Sequence, residues 1–158
     1  MEQRISWNNY FMKLAWLIAE RSTCLRHHVG AVIVKNKRVL TTGYNGAAIK
    51  MIDCISLGCL RDKFNIESGK NQEICRAIHA EQNAIIQCGY NGINIKNSDI
   101  YITHSPCVLC TKLIINSGIK KVFIETQYAD TNFKKLFKQS NIKFYYLKTC
   151  SLLITQLL

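Results

Sequence analysis

Helical and strand-like segments alternate along most of this chain, and no other feature limits its possible folds as strongly. An apolar stripe over residues 7–21 indicates a first helix, and β-branched runs at Val29–Val34 and Arg38–Thr42 indicate a hairpin. Further along, helices are expected at His79–Cys88, Cys107–Ser117 and Thr131–Ser140, and strands at Asp99–Thr103, Lys121–Glu125 and Lys143–Leu147. This alternation predicts an α/β protein with three α/β/α layers around a mixed sheet of five strands.

The segment at about residues 46–76 follows neither the helical nor the strand period. Three glycines and three cysteines interrupt it, so we interpret it as an irregular, cysteine-bearing insertion. The chain has no internal repeat, low-complexity tract or linker, and residues 1–158 are expected to form one domain. Long irregular segments in small domains are usually functional or held by some further constraint.

Composition restricts the setting in which the chain works. No apolar run approaches the ~20 residues needed to cross a bilayer, and residues 1–7 lack the apolar stretch of a signal peptide. We therefore expect a cytoplasmic protein without a membrane partner, whose eight cysteines are metal ligands or core residues rather than disulfides. The formal charge of +11 attracts phosphate, but 15 of the 21 basic residues are lysines, so a solvated surface explains it equally well.

Two short segments carry the chemistry, His79-Ala80-Glu81 and Pro106-Cys107-Val108-Leu109-Cys110. Two thiolates and one imidazole give Zn²⁺ three ligands and leave the fourth tetrahedral position open, as in a catalytic rather than a structural site. The pairing of H-x-E with P-C-x-x-C is characteristic of zinc-dependent deaminases. A redox-active C-x-x-C is the alternative, but it needs a thioredoxin-like context and leaves His79 and Glu81 unexplained.

Glu81 follows the histidine by two residues and is expected to move protons rather than to bind the metal. It would take a proton from water and pass it to the substrate ring and then to the leaving amine. A zinc module without activity is a third interpretation, against which the intact Glu81 argues. Pro106 is expected at the start of a helix that Gly118 ends, and the positive end of that helix favours thiolates at its cysteines.

Both segments and their surroundings resemble the deoxycytidylate deaminase branch of the cytidine deaminase superfamily, including the late-competence operon proteins. The resemblance covers roughly residues 5–147. Outside the signature it includes Arg21-Ser22-Thr23-Cys24, Val29–Val34, Gly43-Tyr44-Asn45-Gly46, Cys54, Gly58-Cys59-Leu60-Arg61 and Cys75-Arg76. It implies the cytidine-deaminase-like fold, a catalytic zinc and the hydrolysis of dCMP to dUMP and ammonia, which supplies the precursor of thymidylate.

The resemblance also implies assembly and regulation. Members of this family are homo-oligomers, commonly hexamers. They are activated by dCTP, which Mg²⁺ accompanies, and inhibited by dTTP. Deaminases of free cytidine usually carry cysteine at the position of His79, which argues against a nucleoside substrate. Transfer-RNA adenosine deaminases share both segments but lack the insertion, so an RNA deaminase is the alternative and nucleic acid is not the expected partner. Ala47-Ala48-Ile49 replaces a loop that often contains proline in the family, a departure that bears on effector response.

Several polar residues are candidates for nucleotide contacts. The resemblance assigns Asn45 to the sugar, a role that suits an amide with both a donor and an acceptor, although a turn asparagine is the simpler interpretation. Arg21 and Ser22 are the phosphate candidates because a guanidinium can bind phosphate through two hydrogen bonds, but an exposed helix-end arginine is equally expected. Candidates for the base pocket are Tyr44, Ala80, His104 and Ser105.

A second, structural zinc is predicted from the surplus of cysteines around the insertion. Its expected ligands are Cys24, Cys54, Cys59 and Cys75. Four thiolates would organise a segment that has little periodicity of its own. Some relatives carry an extra zinc here with mixed ligands, so that His27 or His28 could replace one cysteine. The alternative is that these are ordinary buried thiols.

Overall fold

The computed structural model describes residues 4–148, and five strands form its main sheet. These strands are β1 (Gly30–Lys35), β2 (Arg38–Tyr44), β5 (Asp99–His104), β6 (Lys121–Thr126) and β7 (Lys143–Tyr146), and two short strands, β3 (Gly46–Ala47) and β4 (Ala77–Ile78), pair separately. The order across the main sheet is β2-β1-β5-β6-β7. Strand β1 is antiparallel to β2 and to β5, whereas β5, β6 and β7 are parallel. The mixed five-stranded sheet expected from the sequence is thus confirmed.

Helices cover both faces of this sheet. These are α1 (Trp7–Ala19) on one face and α4 (Ala80–Tyr90), α5 (Val108–Asn116) and α6 (Phe133–Gln139) on the other, while α2 (Cys54–Leu57) and α3 (Leu60–Lys63) lie in the insertion. Strand β5 separates the two hydrophobic layers, because Tyr101 packs with α1 while Ile100 and Ile102 pack with α4, α5 and α6. Successive strand residues point to opposite faces, so one apolar strand supplies both layers. The three-layer α/β/α architecture is confirmed.

Local sequence explains where several elements begin and end. The Ser6 hydroxyl accepts a hydrogen bond from the Asn9 N–H and caps α1. Asn36 and Lys37 adopt left-handed φ angles of 51° and 60°, the backbone that a tight hairpin between β1 and β2 requires. Gly118 has a φ of 75° and follows α5, as expected for a left-handed cap. The predicted element boundaries agree within one or two residues.

The insertion contains more regular structure than its sequence indicated. It includes α2, α3 and a 3-10 turn at Gln72–Ile74, and its two ends are joined by the β3–β4 pairing of Gly46 with Ile78 and of Ala47 with Ala77. Each helix has only four residues, too few for a hydrophobic period to be visible. The insertion is therefore a loop closed at its base, with two helical turns along it.

Gly43 brings α4 against the sheet. A Cβ on this residue would lie 2.3 Å from the Ala80 carbonyl oxygen and 2.5 Å from the Ala84 nitrogen. Only glycine permits so close an approach of strand and helix backbones. The contact sets the position of the N-terminus of α4, next to His79. No helix within residues 4–148 has the length and apolar character of a membrane span.

Candidate active site

Three predicted metal ligands meet where two helices begin. His79 is the N-cap residue of α4, and Cys107 is the N-cap residue of α5, one position before the first turn in which the sequence had placed it. Cys110 lies within that first turn. Their ligand atoms all lie within 4.8 Å of one another, which among residues 4–148 marks these three as a possible metal site. Pro106 precedes the N-cap rather than occupying the first helical position.

The geometry of this cluster suits zinc. Nδ1 of His79 lies 3.5 Å from Sγ of Cys107 and 3.3 Å from Sγ of Cys110. Tetrahedral zinc with Zn–S near 2.3 Å and Zn–N near 2.05 Å would hold a sulfur and a nitrogen about 3.6 Å apart. One imidazole and two thiols also form the soft donor set that zinc prefers. The cluster can thus hold a zinc ion with little rearrangement.

The two thiols differ in acidity. A hydrogen bond from Cys110, opposed by burial and assisted by His79, lowers the pKa of Cys107 to about 4. The same hydrogen bond and burial raise the pKa of Cys110. One thiol therefore already favours the thiolate, and a bound cation would favour loss of the proton from the other.

Glu81 lies beside the cluster and is 4 % exposed. Burial raises the pKa of its carboxyl group, while the charge of His79 opposes the increase. For His79 itself, burial lowers the pKa, but the hydrogen bond to Cys107 and the charge of Glu81 outweigh it, so the net shift is upward. A carboxyl group with a raised pKa holds a proton more readily than an exposed one, which suits it to proton transfer.

Neighbouring polar groups hold the ligands in place. The Gln82 side-chain oxygen accepts a hydrogen bond of 2.9 Å from the His79 N–H, as in a capping box. The Thr111 hydroxyl donates to the Cys107 carbonyl at 2.8 Å, and an oxygen of Asp130 accepts from the Val108 N–H at 3.2 Å. Such contacts orient metal ligands before the ion binds.

A cavity opens over this cluster, and four of the predicted nucleotide contacts line it: Asn45, Ala80, His104 and Ser105. The other three are placed elsewhere. The Arg21 side chain is exposed, Ser22 is 6 % exposed with its hydroxyl on Asn45, and Tyr44 lines a separate groove along β2 and α4. The candidate site thus keeps the predicted sugar residue and three of the four predicted base residues, whereas Tyr44 and the predicted phosphate residues lie outside its wall.

His104 is held as a neutral base in the cavity wall. The Thr103 hydroxyl oxygen accepts a hydrogen bond from the Gly30 N–H at 3.1 Å and lies 3.0 Å from Nδ1 of His104. With the hydroxyl donating to Nδ1, His104 carries its hydrogen on Nε2. Burial and the charge of His27 lower the pKa of His104, which maintains the neutral form at pH 7.

Asn45 organises the loop that enters β1. Its side-chain oxygen accepts hydrogen bonds from the Ser22 hydroxyl at 2.6 Å and from the Val29 N–H at 2.9 Å, and its amide nitrogen donates to the His27 carbonyl at 2.8 Å. The amide nitrogen has a second hydrogen. Asn45 can therefore shape the cavity and still donate one hydrogen bond into it.

The four cysteines of the predicted second zinc site line the same cavity: Cys24, Cys54, Cys59 and Cys75. Burial, and then the negative charges of Cys75, Cys24 and Cys59, raise the pKa of Cys54. The thiols are therefore neighbours. Within the described residues, however, no three of these sulfur atoms all lie within 4.8 Å of one another, as the ligand atoms of His79, Cys107 and Cys110 do.

Sequence reasoning did not assign a role to Arg26, Arg61 or Tyr128, which also line the cavity. The Tyr128 hydroxyl accepts a 2.9 Å hydrogen bond from the Gly69 N–H and so fastens the insertion to the loop after β6. Arg61 belongs to a segment that the family resemblance included, which was a usable signal. Nothing near Tyr128 in the sequence distinguished it from other surface tyrosines.

Known proteins resemble this chain over most of its length. The model of the cytidine and deoxycytidylate deaminase zinc-binding region matches residues 5–126. The chain belongs to this family. ComE operon protein 2 of Bacillus subtilis is 42% identical over 141 residues, covering 89% of this chain and 70% of the relative. Deoxycytidylate deaminase of Saccharomyces cerevisiae is 38% identical over 140 residues, covering 88% of this chain and 44% of the relative.

A solved structure of the deaminase family extends the likeness to three dimensions. The dCMP deaminase of cyanophage S-TIM5, in complex with dCMP and dUMP, has a TM-score of 0.78 and 28% identity. The alignment covers 92% of this chain and all of the cyanophage chain. Family membership agrees with the zinc-ligand cluster and with the cytidine-deaminase-like fold predicted from the sequence.

Proposed function

We propose that this protein catalyses the zinc-dependent hydrolytic deamination of dCMP to dUMP and ammonia. The observation that carries the proposal is a His-Cys-Cys cluster with a buried glutamate beside it, in a cavity lined by residues of the insertion. Relatives named deoxycytidylate deaminases, and a structure of one with dCMP and dUMP, support this substrate.

His79, Cys107 and Cys110 would hold the zinc ion. When bound, zinc lowers the pKa of a water ligand to about 7 and so supplies a nucleophile at neutral pH. Glu81 would accept one proton from the attacking water and deliver it to the ring nitrogen next to the attacked carbon. It would then accept the second proton from the hydroxyl group formed on that carbon and pass it to the departing amine. Burial suits Glu81 to these steps, because its raised pKa favours the protonated form between them.

The substrate contacts follow from the cavity wall. The Nε2–H of His104 can donate to an acceptor on the pyrimidine or sugar, and the remaining amide hydrogen of Asn45 can donate to the sugar. Ala80 and Ser105 bound the space close to Glu81. Tyr44 retains no such role in this proposal, because its side chain lies along a different groove.

Deamination of transfer RNA is the alternative activity. The insertion argues for a free nucleotide, since its residues Cys54, Arg61 and Cys75 form part of the cavity wall and the resemblance to transfer-RNA deaminases does not include it. Assays of dCMP, CMP, cytidine and an adenosine-bearing RNA stem-loop under the same conditions separate the two activities. Activity on the RNA alone would replace the proposal.

Glu81→Gln tests the assigned proton transfer. The variant should bind zinc at the wild-type ratio but lose about 10²–10⁴-fold in kcat, the usual contribution of a general acid–base group. Metal analysis and steady-state kinetics of the purified protein measure both quantities. Full activity with one catalytic zinc per chain would refute the role of Glu81.

A second zinc held by Cys24, Cys54, Cys59 and Cys75 also belongs to the proposal. Its support is that four neighbouring thiols surround one cavity in a segment whose helices have only four residues each. Metal analysis should find two zincs per chain, and one after Cys54→Ser with Cys59→Ser. One zinc in fully loaded wild-type protein would mean that these cysteines are ordinary thiols and that they bind no zinc, either alone or together with His27 or His28.

We also propose that the protein is a cytoplasmic homo-oligomer, with a hexamer as the expected form. Exposed apolar side chains on the insertion support subunit contact, among them Ile49, Met51, Ile52 and Ile55. Regulation by dCTP with Mg²⁺ and by dTTP is proposed from the family resemblance. Light scattering measures the assembly, and dCMP saturation curves with and without each effector measure the regulation. A monomer that responds to neither would remove this part of the proposal.

A further inference from the structure

A groove lies at the end of the main sheet opposite the catalytic cavity. It is formed by the start of α1, the turn between β1 and β2, and the first residues of β5 and β6. Asp99, the first residue of β5, lines this groove, whereas His104, the last residue of β5, lines the catalytic cavity. At about 3.3 Å per residue, the strand separates the two positions by about 16 Å. The groove is therefore a feature of its own rather than an extension of the catalytic site.

Lysine is concentrated in this groove. Four of its 12 lining residues are lysines, Lys35, Lys37, Lys120 and Lys121, whereas lysines make up 15 of the 158 residues of the chain. Asp99 is the one carboxylate among the lining residues. The ion pairs found within residues 4–148 include none of these lysines. The positive charge of the chain is thus gathered here, in what we call the basic groove.

The strand register adds a further lysine beside the basic groove. Asp99 is the partner of Lys121 in the β5–β6 pairing, and Lys121 is the partner of Lys143 in the β6–β7 pairing. Residues paired in this way lie side by side on one face of the sheet, with strands about 4.8 Å apart. Like charges on neighbouring strands are destabilising. One carboxylate therefore stands in a row with two lysines, and a bound anion would relieve the repulsion that remains.

Exposed aromatic side chains stand next to the lysines. Trp7, the first residue of α1, is 43 % exposed, and its ring stacks on Phe11 with 5.5 Å between centroids. Nζ of Lys37 lies 5.6 Å from the Trp7 ring centroid, and Tyr10 meets the indole edge to face at 5.9 Å. Because Phe11 holds the plane of the indole, Trp7 offers a rigid and exposed ring on which a nucleobase can stack.

The start of α1 adds uncharged donors to the same groove. The Tyr101 hydroxyl donates to the side-chain oxygen of Asn8 at 2.8 Å, and both residues line the groove. With its oxygen held in this way, Asn8 still has two amide hydrogens to donate. The first turn of α1 contains no acidic residue, so the positive end of the helix dipole is not neutralised there. These groups suit phosphate oxygens as the lysines do.

We propose that the basic groove binds single-stranded nucleic acid, with its phosphates on the groove lysines and a base stacked on Trp7. A positively charged groove with exposed aromatic rings is the usual arrangement in proteins that bind single strands without sequence preference. A duplex keeps its bases stacked inside and offers Trp7 no base to contact. The strand is not the substrate, because the groove lies about 16 Å from the catalytic cavity. The inference therefore goes beyond the proposed deamination and does not depend on it.

The salt dependence of binding tests the lysines. Fluorescence anisotropy of a labelled oligothymidylate of about 15 nucleotides should show affinity for the zinc-loaded chain that falls with salt, with a logarithmic slope of about −0.7 for each phosphate contacted. The variant Lys37→Gln/Lys120→Gln/Lys121→Gln should lose about 2 units of this slope and bind at least about tenfold more weakly at about 50 mM NaCl. The matched control is Lys134→Gln/Lys135→Gln/Lys138→Gln, which removes the same charge from exposed positions on α6 and should keep the wild-type slope.

Two further measurements test the stacked base and the place of binding. Trp7→Ala should weaken the oligonucleotide about tenfold and leave the salt slope unchanged, because stacking releases no counterions. Saturating dUMP should not displace the oligonucleotide from the wild-type protein, and far-UV circular dichroism of every variant controls for folding.

Four results would overturn the inference. They are the absence of binding by the wild-type protein at about 50 mM NaCl, an equal loss of affinity and slope in the α6 control, tighter binding of a duplex of the same length, and displacement by dUMP. Equal loss in the control would show that only the total charge matters, and displacement would place the strand in the catalytic cavity. Wild-type affinity in Trp7→Ala would likewise refute the stacked base.

Discussion

Gly43→Ala is expected to damage the fold and the zinc site together. The added methyl group would lie 2.3 Å from the Ala80 carbonyl oxygen and 2.5 Å from the Ala84 nitrogen, whereas ordinary contact begins near 3.4 Å. Helix α4 would therefore have to move away from β2 by about 1 Å. Both colliding groups are backbone, so no side-chain rotation relieves the contact.

The expected loss of stability follows from this geometry. Overpacking a filled interior costs about 1–3 kcal/mol, and a clash between two backbones places Gly43→Ala at the upper end of that range. The unfolded chain has less conformational entropy with alanine than with glycine, which offsets about 0.4–1 kcal/mol of this loss. The free energy of unfolding should therefore fall by about 2 kcal/mol. Activity should fall further, since a shift of about 1 Å in His79 and Glu81 can cost ~10²-fold.

Urea unfolding of zinc-loaded protein measures the change, with zinc content and dCMP turnover measured on the same samples. Gly89→Ala is the matched control, because Gly89 lies near the end of α4 and a Cβ there would meet nothing within 4 Å. Removing a helical glycine at that position should raise the free energy of unfolding by about 0.5–1 kcal/mol. Wild-type stability and zinc content in Gly43→Ala would contradict the close packing of α4 on β2.

Two further changes probe the wall of the site. The pKa values of His27 and His104 are both lowered from 6.5, chiefly by burial, so the unfolded chain binds more protons and stability should be lost as the pH falls below about 6.5. In the double variant His27→Gln/His104→Gln, the free energy of unfolding measured between pH 5 and 8 should depend less on pH. An unchanged pH dependence would argue against these shifts. Thr103→Val removes the acceptor of the Gly30 N–H from a fully buried position and should lower the free energy of chemical unfolding by about 1–3 kcal/mol. KM should also rise, because His104 loses the hydroxyl group that orients it. An unchanged unfolding midpoint would show that this acceptor is dispensable.

The cluster of His79, Cys107 and Cys110 was predictable because its information is local. His79 and Glu81 are two residues apart and Cys107 and Cys110 are three apart, and each pair lies where a helix begins. Zinc chemistry limits the donor types so narrowly that spacing alone identifies the ligands. The same reasoning could not locate Asp130, which caps α5 from a later loop.

Which arginine lines the cavity was beyond sequence reasoning. Arg21 and Arg26 are both arginines after the first helix, and nothing in the sequence ranks one above the other. The structure exposes Arg21 but holds Arg26, half-buried, against Asp62 and Ile66, residues that are distant along the chain. Burial of a charge depends on contacts across the fold, which a local pattern does not contain.

The amino-acid sequence by itself determined the α/β alternation, the five strands of the main sheet and the His-Cys-Cys cluster, because hydrophobic period and ligand chemistry are properties of short segments. Only the tertiary structure decided which polar groups share the cavity. Helices α2 and α3 have four residues each, and their position depends on β3–β4 pairing and on the Tyr128 contact with Gly69 rather than on their own periodicity. A segment too short to bury a face of its own takes its place from long-range contacts.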